Sequence, residues 1–118
     1  MKISDFIEED KETPTLKVDV LERARYLLRD KKHWIQGADA LDKQKQITDC
    51  RSDKAVCFCL DGALAKAAHD LKCTLYRDVY RLVSSHVGNV NAFNDDPEMK
   101  HEIILKTLDK IIKLERNK

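Results

Sequence analysis

The chain has little of what interrupts a helix. Its 118 residues include only three glycines and two prolines, aromatic residues make up 6 %, and there is a single tryptophan. That composition argues against a β-sandwich, which needs frequent turn residues, and the 36 % of charged residues is spread among enough apolar ones to argue against a disordered tail. An excess of one charge is also lacking: 22 Lys and Arg stand against 21 Asp and Glu, a net of +1. No global field therefore singles out nucleic acid, an anionic membrane or a basic partner, and any such binding must come from a local patch. No run of about 18 apolar residues suggests a spanning helix, and the acidic opening MKISDFIEEDKE is not a signal peptide. A cytoplasmic location is expected, with Cys50, Cys57, Cys59 and Cys73 as reduced thiols.

What is present is helical periodicity on a length that suits one domain. Residues 1–16 read as an N-terminal arm, with Ile3, Phe6 and Ile7 able to form a short helix, and 17–118 as a single helical domain. Asp19 and Glu22 suggest a capping box for a first helix over about 20–30, with Val20, Leu21, Ala24, Leu27 and Leu28 on one face. Residues 31–54 are polar and aperiodic, an ordered connection long enough to be the first place to look for a site. Ser52 or Asp53 is expected to cap the second helix, with Val56, Cys59, Leu60, Ala63, Leu64, Ala67 and Leu71 in a 3.6-residue repeat. Leu75, Val79, Leu82, Val83 and His86 align on a third helix ended by Gly88. A fourth is expected from Asp96-Pro97, with Ile103, Ile104, Thr107, Leu108, Ile111 and Ile112 as its core stripe. The fold class is all-α, a small bundle of about four core helices with a long connection between the first and second.

The segment AVCFCLDGALAKAA, residues 55–68, carries two cysteines one residue apart. On a helix such neighbours point about 200° apart, so Cys57 and Cys59 cannot share one tetrahedral metal. Cys50 and Cys73 complete no Cys-x-x-Cys pair, and His33, His69, His86 and His101 make no His-x-x-x-His pattern. No metal or cofactor is expected. Cys57 and Cys59 are read as packing within a central helix, and Gly62, Ala63, Ala67 and Ala68 as allowing close approach of neighbouring helices.

Trp34-x-Gln36-Gly37, then Cys59-Leu60-Asp61-Gly62-Ala63-Leu64, then Phe93-Asn94-Asp95-x-Pro97 leading into His101-Glu102-Ile103, resemble domain-of-unknown-function family 6197 in order and spacing, from about Leu21 to Ile112. The resemblance implies a small helical domain of bacteria and their phages and names no activity. Phe93 stands where the family usually has Trp, and Met99-Lys100 where it usually has Arg-Thr; a ligand contact made by those family residues would be altered here.

Each matching residue has a structural reading. Trp34 can plug the core, Gln36 and Gly37 can shape a turn, and Asn94 and Asp95 can cap the last helix. In the functional reading, Trp34, Gln36, Gly37, Asn94 and Asp95 bind a ligand in a cleft where Asp95 and His101 are the candidate proton carriers. Neither thiol has a local base to activate it, so the balance is against an enzyme. A noncatalytic protein-interaction module, an adaptor or inhibitor with another protein as partner, is favoured over a small-molecule-binding protein or enzyme using that cleft. Nucleic acid is disfavoured because Glu102, Asp109 and Glu115 interrupt the basic residues of the last helix.

Overall fold

The first helix, α1 (Lys17–Leu27), forms because Val20, Leu21 and Ala24 recur on one face and are buried. The computed structural model describes residues 14–118, so Ile3, Phe6 and Ile7 of the expected arm lie outside the described residues. Asp19 does not cap α1 as the first residue of a box. It sits at the third helical position and its carboxylate accepts from the Leu16 N–H at 2.8 Å. A one-turn 3-10 helix (Lys31–His33) follows, capped by the Asp30 side chain.

The connection then runs as a chain of tight turns clipped to a minimal sheet. Strand β1 (Ala40–Leu41) pairs antiparallel with β2 (Cys57–Phe58), Ala40 opposite Phe58 and Leu41 opposite Cys57. Between them Asp42 accepts from the backbone N–H of Gln44 and of Gln46, Asp49 from that of Arg51, and Ser52 from that of Lys54. Short polar side chains thus satisfy backbone groups that a loop leaves unpaired. Ser52 therefore belongs to a turn and caps no helix.

The second helix, α2 (Leu60–Asp70), begins after the two cysteines. This corrects the expectation that Cys57 and Cys59 lie within it: Cys57 is on β2, and Cys59 is the residue at the cap, in extended conformation. An apolar run such as AVCFCL has no period of its own to separate strand from helix, and the pairing with Ala40–Leu41 decides for strand.

Helix α3 (Tyr76–Val87) ends at Gly88, whose φ of +82° is easily adopted only without a side chain. A short helix α4 (Val90–Asp95), with no counterpart among the four expected helices, lies between Gly88 and Asp96 and is capped by Asn89 through the Ala92 N–H. Helix α5 (His101–Arg116) starts later than Asp96-Pro97; Asp96 instead closes a turn by accepting from the Glu98 N–H at 2.8 Å.

The fold is all-α apart from the two-residue strand pair. Helix α1 packs against α2 and α5, and α2 also against α3 and α4. Leu21, Leu28, Leu60, Leu64, Ile104, Leu108 and Ile111 are fully buried among them, each contributing about 1.5–3 kcal/mol by leaving water. His86 and Ile103, aligned with core stripes by spacing, are on the exposed side.

Candidate functional site

The residues of the connection that read as ligand-binding meet α4. Asn94 is completely buried. Its Oδ1 accepts from Trp34 Nε1 at 2.7 Å and from the Leu60 N–H at 3.0 Å, while its Nδ2 donates to Ile35 O at 3.1 Å and to Asp95 Oδ1 at 2.8 Å. Gln36 Nε2 donates to the carbonyls of Asn94 and Asp96, both at 2.9 Å, and the Gly37 N–H donates to Asp95 Oδ1 at 3.1 Å. Gly37, at φ +86°, turns the chain to make that contact. The arrangement is a clasp that locks the connection onto α4 and onto the first turn of α2.

His101 joins it at the edge. Its ring centroid is 6.3 Å from that of Trp34, and its Nε2 lies 2.6 Å from Leu28 O, so this nitrogen carries the proton. Among the described residues no hydrogen bond joins Asp95 to His101. Trp34, Lys31, Met99, Lys100 and His101 border a shallow cleft of about 400 Å³. Trp34, Gln36, Gly37, Asn94, Asp95 and His101 are therefore neighbours, with most of their polar atoms occupied by one another or by backbone.

A larger cleft, about 660 Å³, lies between residues 37–51 and α2. Ala65 and Ala68 of α2 line it together with Asp39, Asp61, Tyr76 and Ile47. It was not foreseen from the sequence, although its signal was there: the small residues after Cys59 open a groove beside α2 as well as admitting neighbours. Gly62 has the strictest role, since a Cβ there would lie 2.1 Å from the carbonyl oxygen of Asp39.

The model of a family of unknown function (DUF6197) matches residues 12–114. The chain belongs to this family. The match takes in every residue of the clasp and of the large cleft. No curated protein and no solved structure matches the chain.

The thiol at the head of α2 in this DUF6197 chain is bonded to two residues that line the large cleft, Asp39 and Gly62. Cys59 Sγ accepts from the Gly62 N–H at 3.2 Å, as a capping oxygen would, and its S–H donates to Asp39 Oδ1 at 3.6 Å. Burial pushes its pKa up to about 12, with further upward pushes from the charges of Asp39 and Asp61. Cys50 and Cys57 are also raised, chiefly by burial. None of these three is poised as a thiolate nucleophile. Because the folded pKa of Cys59 exceeds the ordinary 9.0, its contribution to stability is complete below about pH 9 and is lost as pH rises toward 12. Cys59→Ser, which can cap without ionising, is expected to lose less stability over that range, by at most about 1.4 kcal/mol per pH unit. Urea titrations of both proteins at pH 7 and pH 10 check this; parallel pH dependences would refute it.

Asp61 lies in the first turn of α2, where its Oδ1 accepts from the Tyr76 hydroxyl at 2.6 Å. Burial holds its pKa above the usual carboxylate value, the Tyr76 hydrogen bond opposes this, and Asp39 adds to it. The pair marks the polar end of the large cleft.

Proposed function

We propose that this protein is a noncatalytic binding module, an adaptor or inhibitor that engages another protein through the cleft between residues 37–51 and α2. The observation that carries the reading is Ile47, 79 % exposed on the lip of this cleft. Isolated exposed apolar residues are ordinary on a protein surface. This one projects from a segment pinned by turns and strand pairing, beside a concavity of ligand-binding size, as the apolar anchors of interfaces do. Support also comes from the clasp, whose buried amide is consumed in holding the fold, and from thiols kept away from the thiolate form.

The four cysteines are free, which suits a reducing compartment such as a bacterial cytoplasm or that of a phage-infected cell. No helix among the described residues is long and apolar enough to cross a membrane.

The test compares capture from a bacterial lysate by the wild-type chain and by Ile47→Asp. A specific partner held by the wild type and lost by the variant, with unchanged circular dichroism and melting temperature, is the expected result. Asp95→Ala and His101→Ala variants that remain folded should keep the partner. The reading fails if Ile47→Asp recovers the same proteins as the wild type, or if the Asp95 and His101 variants alone lose them.

A further inference from the structure

The structure assigns a second binding site, for a phosphate monoester group, to a small cleft where the end of α1 and the 3-10 helix meet β2 and the last turns of α2. It shares no bordering residue with the large cleft and does not depend on the reading of that surface. The cleft has a volume of about 310 Å³, at the small end of the range for ligand sites. Four of the side chains that border it are basic, Arg23, Arg29, His33 and Lys66, and one is a carboxylate, Asp70. Buried Ala55 and Phe58 form its apolar part.

Direct contacts hold these charges together. Asp70 is shared between two cations: its Oδ2 accepts from Arg23 Nη2 at 3.1 Å, and its Oδ1 lies 3.3 Å from Lys66 Nζ. Arg29 has no carboxylate partner among the described residues. Its guanidinium carbon instead lies 3.8 Å from the centre of the Tyr26 ring, and its Nη1 donates to Tyr26 O at 2.8 Å. Arg23 approaches the same ring, at 5.4 Å. Asp30, next to Arg29 in the chain, accepts from the Lys32 N–H and does not border the cleft.

Three permanent cations against one carboxylate leave a surplus of two positive charges here. A phosphate monoester brings about −1.5 to −2 at pH 7, and its three acceptor oxygens suit donors that come from three separate side chains. A carboxylate offers one charge and two oxygens, and Asp70 already fills that part. Each guanidinium presents a planar fork suited to phosphate oxygens, and Arg23 and Arg29 each keep N–H groups beyond those already engaged. The donors are also held in place. The Lys66 side chain is only 12 % exposed and also donates to Ser52 O at 3.4 Å, while Arg29 is fixed by the ring and the carbonyl of Tyr26. An entering phosphate therefore orders little that is not ordered already.

The experiment is a nuclear magnetic resonance titration of the ¹⁵N-labelled chain at constant ionic strength, reading the amides of Leu27, Arg29, Phe58 and Lys66. The probes are inorganic phosphate, phenyl phosphate and a capped Gly-phosphoserine-Gly peptide, with capped Gly-Ser-Gly and Gly-Glu-Gly peptides as neutral and carboxylate controls. Saturable shifts with the phosphates are expected, with none for the serine peptide and binding at least about ten-fold weaker for the glutamate peptide. Affinity for phenyl phosphate is expected to fall about ten-fold or more in Arg29→Gln and in Lys66→Gln, and to be unchanged in Lys110→Gln, which removes an exposed charge from α5. Should Lys66→Gln disturb the fold through Asp70, Arg29→Gln decides alone, because Arg29 is exposed and outside the Asp70 pairs. Tighter binding of the phosphopeptide than of phenyl phosphate identifies a phosphorylated side chain as the source, and the reverse identifies a small phosphorylated molecule; either supports the site. Absence of saturable shifts, equal affinity for the glutamate peptide, wild-type affinity in folded Arg29→Gln, or an equal loss in Lys110→Gln overturns it.

Discussion

Replacing Asn94 with alanine is expected to lower the stability of the chain by about 3–5 kcal/mol, the sum of several orphaned buried groups and a small cavity. The side chain is fully buried and uses both ends of its amide. Without Oδ1, the Trp34 indole N–H and the Leu60 N–H lose their acceptor; without Nδ2, Ile35 O loses a donor. The Leu60 N–H is one of the unpaired donors at the start of α2, so Asn94 caps this helix from a distant part of the chain. Asn94→Asp keeps the acceptor but turns a second acceptor toward Ile35 O and the Asp95 carboxylate, and is expected to be at least as damaging. Equilibrium urea unfolding measures both, with the m-value showing whether the native state has loosened. A loss below about 1 kcal/mol in Asn94→Ala would mean that water replaces the amide, and that the clasp is incidental to the fold.

Gly62→Ala is expected to cost about 2–3 kcal/mol by overpacking, against a usual gain of up to about 1 kcal/mol for alanine in a helix. The added Cβ would stand 2.1 Å from Asp39 O and 3.0 Å from Asp39 C. Both are backbone atoms, so no side-chain rotation relieves the contact. The 37–41 segment would have to lift from α2, stretching the hydrogen bond from the Cys59 N–H to Asp39 O and pulling on the β1–β2 pair. Thermal melting of Gly62→Ala beside Ala63→Gly separates the two effects, because only the first adds atoms. A variant that melts at or above the wild-type temperature would show that the segment does not press on α2.

Much of the fold was legible because local patterns and tertiary packing agree. Val20, Leu21 and Ala24 are on the buried face of α1, and Ile104, Leu108, Ile111 and Ile112 on that of α5, as their 3.6-residue spacing requires. Gly88 ends α3 for the reason that its position suggested. The helix starts were less legible. Asp96-Pro97 has the side chains of a cap, yet Asp96 closes a turn, because the same carboxylate chemistry serves either purpose and the neighbouring chain selects between them.

The neighbourhood of Trp34, Gln36, Asn94 and Asp95 could be inferred from the residues that mark the family, but not its bonding. Whether an amide faces solvent or a buried indole depends on contacts across about sixty residues of chain. The large cleft was hidden for the same reason: Asp39 and Asp61 are 22 positions apart and share a wall only after β1 has paired with β2.

The amino-acid order alone determined that this is a helical domain of its family, with core faces written in short-range periodicity and with no long apolar span. Tertiary structure decided that Cys57 lies on a strand, that Cys59 caps a helix, and that the open concavity is beside Asp39 and Asp61. The reason is physical: period and capping are properties of a few adjacent residues, whereas strand pairing, burial of an amide and the shape of a cleft exist only between segments that the fold brings together.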